Sequence, residues 1–274
     1  MKRPSLVLLV AHRYVVSLRA SLDMRVTKRS QQECQMSPLR KTALVAGVLY
    51  LLTFVSIPTL VLYGPVHDPK YIVGPGPDTA VIFGGVLEII VALAGIGTAV
   101  ALYPVVKRQN EGVALGFVGA RALEAAAIFA GVASLLSVVT LRQAGAGAAG
   151  LVTAQALVAL YDRTFLLGQS FLPAVNALLL GSLLYQSRLV PRVLPLLGFI
   201  GAALLVASDT AIVFDLVGPK SALAALAALP IALWEFSLGV WLVVKGFTPS
   251  PILSSETRDA SAAAATNPSA SRRP

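Results

Sequence analysis

Histidine is nearly missing from this chain. Only His12 and His67 occur in 274 residues, and neither falls within a long apolar block. That excludes a membrane haem held by paired histidines and a metal site built on intramembrane histidines. Gly168-Gln169-Ser170 has a superficial likeness to an embedded serine nucleophile, but no histidine follows residue 67 to serve as its base. Cysteine is scarcer still: Cys34 stands alone, so the chain has no internal disulfide and no thiolate cluster. No lysine lies in the middle of an apolar block, which excludes a Schiff-base chromophore. No glycine-rich phosphate loop with its lysine is present either. The inventory therefore argues against an enzyme, with lipid chemistry the least supported class, and it calls for no cofactor and no metal.

Charge is also thin. Asp, Glu, Lys and Arg make up 13% of the residues, against roughly a quarter in ordinary soluble domains. Hydrophobic residues make up 56%, and the mean hydropathy is +0.78. A soluble chain of this length would need more polar residues to cover itself. The apolar residues come in blocks suited to a hydrocarbon layer of about 30 Å. The fold class expected is all-α: a polytopic membrane protein built as a six-transmembrane-helix bundle.

The net charge of +9 follows the same logic. Nine of the 22 Lys and Arg lie in residues 1–41, and most others sit in short loops between apolar blocks. That is the pattern of membrane orientation and contact with anionic headgroups. No basic face studded with aromatics appears, so the expected partner is the lipid bilayer and not nucleic acid.

Three regions are expected: a basic leader over 1–41, a membrane domain over 42–247, and a disordered tail over 248–274. The leader reads either as a disordered or surface-lying cytoplasmic arm or as an over-extended start, with Met24 or Met36 as the alternative beginning. The spans are Thr42–Tyr63, Ala80–Tyr103, Val113–Leu141, Thr164–Tyr185, Leu194–Val217 and Ala222–Val244. Pro58 is expected to bend the first. The connection 64–79, with four prolines and three glycines, reads as an ordered partial lid. Residues 151–163 are apolar but too short to span. They read as an interfacial helix on the outer surface, or as a segment dipping into the membrane. Six spans starting inside leave 17 Lys and Arg on the cytoplasmic side against four outside. This predicts an inner (plasma) membrane location with both termini cytoplasmic.

Within this apolar frame five charged residues fall in the interior of spans: Glu88, Arg121, Glu124, Asp209 and Glu235. Each costs at least ~2.5–3.5 kcal/mol in a bilayer interior, so such residues turn inward and pair. At ~1.5 Å per residue, Arg121 lies about 12 Å and Glu124 about 16 Å from the inner end of span three. Glu235 lies at a similar depth, and Glu88 and Asp209 lie further out. The spacing predicts a cluster around Arg121, with Glu124 in cis and Glu235 or Glu88 across. Gln169, Pro173 and Asn176 form a polar stripe that could line a cavity wall. Gly84, Glu88, Ala92 and Gly95 share one close-packing face of span two, and Gly112, Gly116, Ala120 and Glu124 share one of span three. Asp162 and Asp215 read as solvated residues, and Trp234 as packing. The two halves each carry an acidic residue in their second and third spans, at spacings of 36 and 26 residues, a pattern that reads as an inverted repeat.

Four carboxylates and one guanidinium sum to −3. The excess must be relieved by protons, by water or by a bound cation. The set reads as a clamp that fixes helix register, as a pathway for a proton, cation or small solute, or as a ligand-sensing pocket or active site.

Three passages carry a resemblance: RALEAAAIFAG in span three, LYQSRLVPRVLPLLGFIGAALL, and GPKSALAALAALPIALWEFSLGVWLVVKGF at the end of the membrane domain. Together they resemble a bacterial membrane family known as domain of unknown function 4386, over roughly residues 38–248. The resemblance implies a six-span topology and brings no activity with it.

Overall fold

A computed structural model describes residues 37–253. The expectations for the leader before Ser37, with His12 and Cys34, lie outside the described residues, as do those for the tail beyond Leu253. The chain divides into units 1–41 and 42–274. Of the first, Ser37–Lys41 are described: the Ser37 hydroxyl accepts the Arg40 amide at 3.3 Å, and a helix begins at Pro38.

The described residues are helical, without strands. The long helices are α1 (Pro38–Leu52), α2 (Asp78–Val106), α3 (Glu111–Gln143), α4 (Leu151–Thr164), α5 (Leu172–Ser187), α6 (Val193–Val213) and α7 (Ala222–Val244). Six helical stretches are long and apolar enough to cross a membrane. Their outward faces carry large apolar side chains, among them Leu93, Leu123, Ile200 and Leu226, each more than half exposed. A belt of this kind is stable against lipid and not against water. The protein is a multi-pass, all-α membrane protein.

Pro58 breaks the first span as its chemistry requires. It has no amide hydrogen for the carbonyl four residues back. The helix tightens to 3₁₀ over Thr53–Ser56 and resumes at Thr59–Leu62. Hydroxyls take up loosened carbonyls: Thr53 donates to the Tyr50 carbonyl at 2.7 Å and Thr59 to that of Ser56 at 2.7 Å. The connection 64–79 is an ordered lid, with 3₁₀ turns at Pro65–His67 and Pro69–Ile72 and with Val66, Tyr71 and Ile72 buried. Its far side is tied down by Asp78, which accepts from Tyr71 (2.7 Å), Arg142 Nε (2.6 Å) and Gln143 (3.1 Å). Arg142 also donates to the Gly74 carbonyl at 2.9 Å.

Residues 151–163 are not a separate interfacial helix. They continue through a π-turn, Phe165–Phe171, into α5, giving one helical run over Gly147–Ser187 of 41 residues. At ~1.5 Å per residue the run is about 60 Å long, twice the hydrocarbon thickness. Exposed Asp162 and Arg163 interrupt the hydropathy but not the backbone. The π-turn has a local cause. Pro173 cannot donate, and the register shifts ahead of it, with Leu172 N–H donating to the Leu167 carbonyl five residues back.

Helix α3 lies at the centre, against α2, α4 and α5, while α6 packs on α5 and α7. Close approaches between helices fall at glycines. An added Cβ at Gly168 would lie 2.4 Å from the Ala127 Cβ, and one at Gly201 would lie 2.7 Å from the Ile231 amide nitrogen. Trp234 packs over Gly198 and is buried. The expected row on span two is correct: Gly84, Glu88, Ala92 and Gly95 are all buried. The row on span three is not. Gly112 and Gly116 are exposed, and the buried face runs through Ala114, Phe117, Arg121, Glu124 and Ile128. The GxxxG spacing misled because both glycines stay exposed, Gly116 only skirting Leu179 of α5; bulky Phe117 marks the buried face. Residues Thr248–Leu253 are tied to the turn between α5 and α6, not loose as expected of the tail. The Thr248 amide donates to the Leu189 carbonyl at 2.8 Å and the Ser250 hydroxyl to that of Ser187.

Candidate functional site

Arg121 points from the middle of α3 into the bundle and is 2% exposed. Its Nη1 donates to Glu124 one turn on, at 3.0 and 3.3 Å to the two carboxylate oxygens. Its Nη2 donates to Glu235 of α7 at 2.8 Å and to the Tyr50 hydroxyl of α1 at 3.3 Å. The guanidinium also lies over the rings of Tyr50 and Phe117, 5.3 and 5.9 Å from their centroids. Such contacts favour a cation shielded from water. Gly95 of α2 leaves room beside it, since a Cβ there would lie 3.9 Å from the Arg121 side chain. Glu124 is held from a further helix by Asn176 Nδ2 of α5 at 2.6 Å. The formal sum over Arg121, Glu124 and Glu235 is −1.

Glu88 does not join this group. It is fully buried on α2, and its Oε1 accepts from Tyr161 of α4 at 2.9 Å and from Gln169 of the π-turn at 3.2 Å. The Tyr63 hydroxyl faces it from the end of the first span. The Tyr63 ring meets Tyr161 edge-on at 5.3 Å, and Gly84 makes room for it. Depth is the reason for the separation. Gly95, seven residues further along α2, is the position beside Arg121, so Glu88 lies about 10 Å away along the helix. Asp209 is a third station: it is buried on α6 and accepts from Ser170 at 2.7 Å.

The five residues expected together thus occupy three places. Arg121, Glu124 and Glu235 meet; Glu88 and Asp209 stand apart. Gln169 and Asn176, expected as one cavity wall, serve two different carboxylates. The π-turn explains the division of labour, because adjacent Gln169 and Ser170 reach Glu88 on one neighbour and Asp209 on another. Ser170 is therefore a hydrogen-bond donor to a carboxylate. Sequence reasoning missed Tyr50, Tyr63 and Tyr161, which pass as belt or apolar residues until their hydroxyls are placed. It also missed the pairing of Asp162 with His67, at 2.9 Å. Among the described residues no group of three or more His, Cys, Asp or Glu is arranged to hold a metal.

A family model described as domain of unknown function (DUF4386) matches residues 45–246. The chain belongs to the DUF4386 family. The DUF4386 region contains Tyr50, Glu88, Arg121, Glu124, Gln169, Asn176, Asp209 and Glu235. No curated protein and no solved structure matches the chain.

Proposed function

We propose that this DUF4386 member is a non-catalytic membrane subunit, structural or interacting in role, in which Arg121 locks the register of the helices around it. The observation that carries the reading is the reach of one buried guanidinium. It binds Tyr50 on α1, Glu124 on its own helix and Glu235 on α7, and through Glu124 it engages Asn176 on α5. Sliding any of these helices would strand a charge in a low-dielectric interior, which is why such a network specifies one packing. The excess of basic residues in the leader, the 107–110 and 188–192 turns and the tail supports an inner-membrane orientation with cytoplasmic termini and an outward lid. The test compares Arg121→Gln with Arg121→Gln/Glu235→Gln in lipid nanodiscs. The clamp requires a sharp fall in abundance and apparent Tm for the single variant and partial recovery for the double. Wild-type stability in both would remove the reading.

A proton-linked carrier of a small solute is the second reading. It is favoured by Glu88 and Asp209, carboxyl groups buried against the neutral donors Tyr161, Gln169 and Ser170. Vesicles containing wild type or Glu88→Gln would be screened for proton and solute flux. The reading requires a flux that the variant loses; equal behaviour abandons it.

A further inference from the structure

The lid is fastened differently on its two sides. One side is held by Arg142, Asp78 and Tyr71, as described above. On the other, His67 reaches Asp162 of α4. The His67 Nδ1 lies 2.7 Å from the Tyr63 carbonyl oxygen, and its Nε2 lies 2.9 Å from Asp162 Oδ1. A peptide carbonyl cannot donate and a carboxylate cannot donate, so both ring nitrogens must. An imidazole that donates from both nitrogens is the imidazolium. The neutral ring would set a lone pair against one of these oxygens. The ring is part-buried and lies edge-on to Tyr161, at 6.3 Å between centroids. The charged groups that reach it are Asp162, which favours the cation, and Lys220 from the turn before α7, which opposes it.

We propose that His67 is a proton-binding latch: protonated, it pins the 64–79 lid to α4, and losing the proton frees that side of the lid. The inference is independent of the clamp reading. Between lid and helix lies a cavity of about 240 Å³, walled by Val66, Ile72, Val138, Ala154 and Val158, with His67 and Asp162 among its polar lining. Tyr161, which donates to Glu88, stands beside the latch, so lid movement bears directly on the partner of the buried carboxyl.

The hydrogen bond to Asp162 raises the His67 pKa above its ordinary value, against the lowering effect of burial. A raised folded-state value means the latch is fully engaged below about pH 6.5 and is lost as pH rises through the folded pKa.

Hydrogen exchange of residues 64–73 in the full chain in nanodiscs tests this. It would be measured at about pH 6 and about pH 9 and corrected for the intrinsic base-catalysed rise. Wild type should lose protection several-fold at the higher pH, while α3 and α6 keep theirs. His67→Gln should exchange fast at both values. Asp162→Ala removes the acceptor for Nε2 and should exchange fast at both values, which provides a second reading if the His67 variant folds poorly. Equal wild-type protection at both values, or an unchanged step in His67→Gln, overturns the latch.

Discussion

Glu124 and Glu88 are the same side chain, both buried and on adjacent helices, yet their surroundings differ in kind. Glu124 is held by a guanidinium and an amide; Glu88 is held by a phenol and an amide. The first arrangement ties charges of opposite sign, so each member depends on the others. The second needs only an acceptor, because Tyr161 and Gln169 each want an oxygen and do not require a full charge. The comparison shows that an intramembrane carboxyl can face a cation at one depth and only neutral donors about 10 Å away.

The sharpest way to break the comparison is Arg121→Gln. It leaves Glu124 and Glu235 buried without their cation, and the expected loss is ~3–5 kcal/mol, read as a fall in apparent Tm and in folded yield. Next comes Glu88→Leu, which strands the Tyr161 hydroxyl and the Gln169 amide. A loss of ~2–3 kcal/mol is expected, measured in the same melt. Glu235→Gln should cost less, about 1–2 kcal/mol, because one charge-assisted bond weakens while Arg121 and Glu124 remain a neutral pair. Glu88→Gln should be the mildest, under about 1 kcal/mol, since an amide oxygen still accepts from Tyr161. A Glu88→Gln loss as large as that of Arg121→Gln would show that the carboxyl's charge matters there and would erase the distinction. Apart from the carboxyls, Gly168→Ala brings a Cβ onto Ala127. It should cost ~1–3 kcal/mol by overpacking, visible as a lower Tm with the polar network intact.

Much of this was legible in the residues. Proline at 58 and in the lid, the turn residues between blocks and, outside 147–187, the apolar lengths all act locally, and they appear where expected. The pairing of Arg121 with Glu124 was legible too, because three residues on a helix is one turn. Glu235 across the bundle was one of two candidates, and depth arithmetic alone could not choose between it and Glu88. The glycine row at Gly112 and Gly116 misled because a GxxxG has the same spacing on either face of a helix. The continuity of residues 151–187 was hidden because hydropathy breaks at Asp162 and Arg163, whereas a helix breaks only when its hydrogen bonding does. Tyr50 and Tyr161 carried no signal, and the motif around Ser170 pointed to the wrong role, since a hydroxyl becomes functional only when an acceptor stands within 3 Å or so.

By itself, then, the sequence determined the membrane class, the six crossings, the lid and the fact that five ionisable groups had to be reconciled with lipid. Those properties depend on composition and near-neighbour order, and a bilayer penalises each residue by type and depth. Which carboxyls share the guanidinium, which rest on neutral donors, and that His67 stands between the Tyr63 carbonyl and Asp162 were decided only by the tertiary structure. These depend on distances between helices separated by tens of residues, and at those ranges a difference of two helical turns changes an ion pair into two unrelated sites.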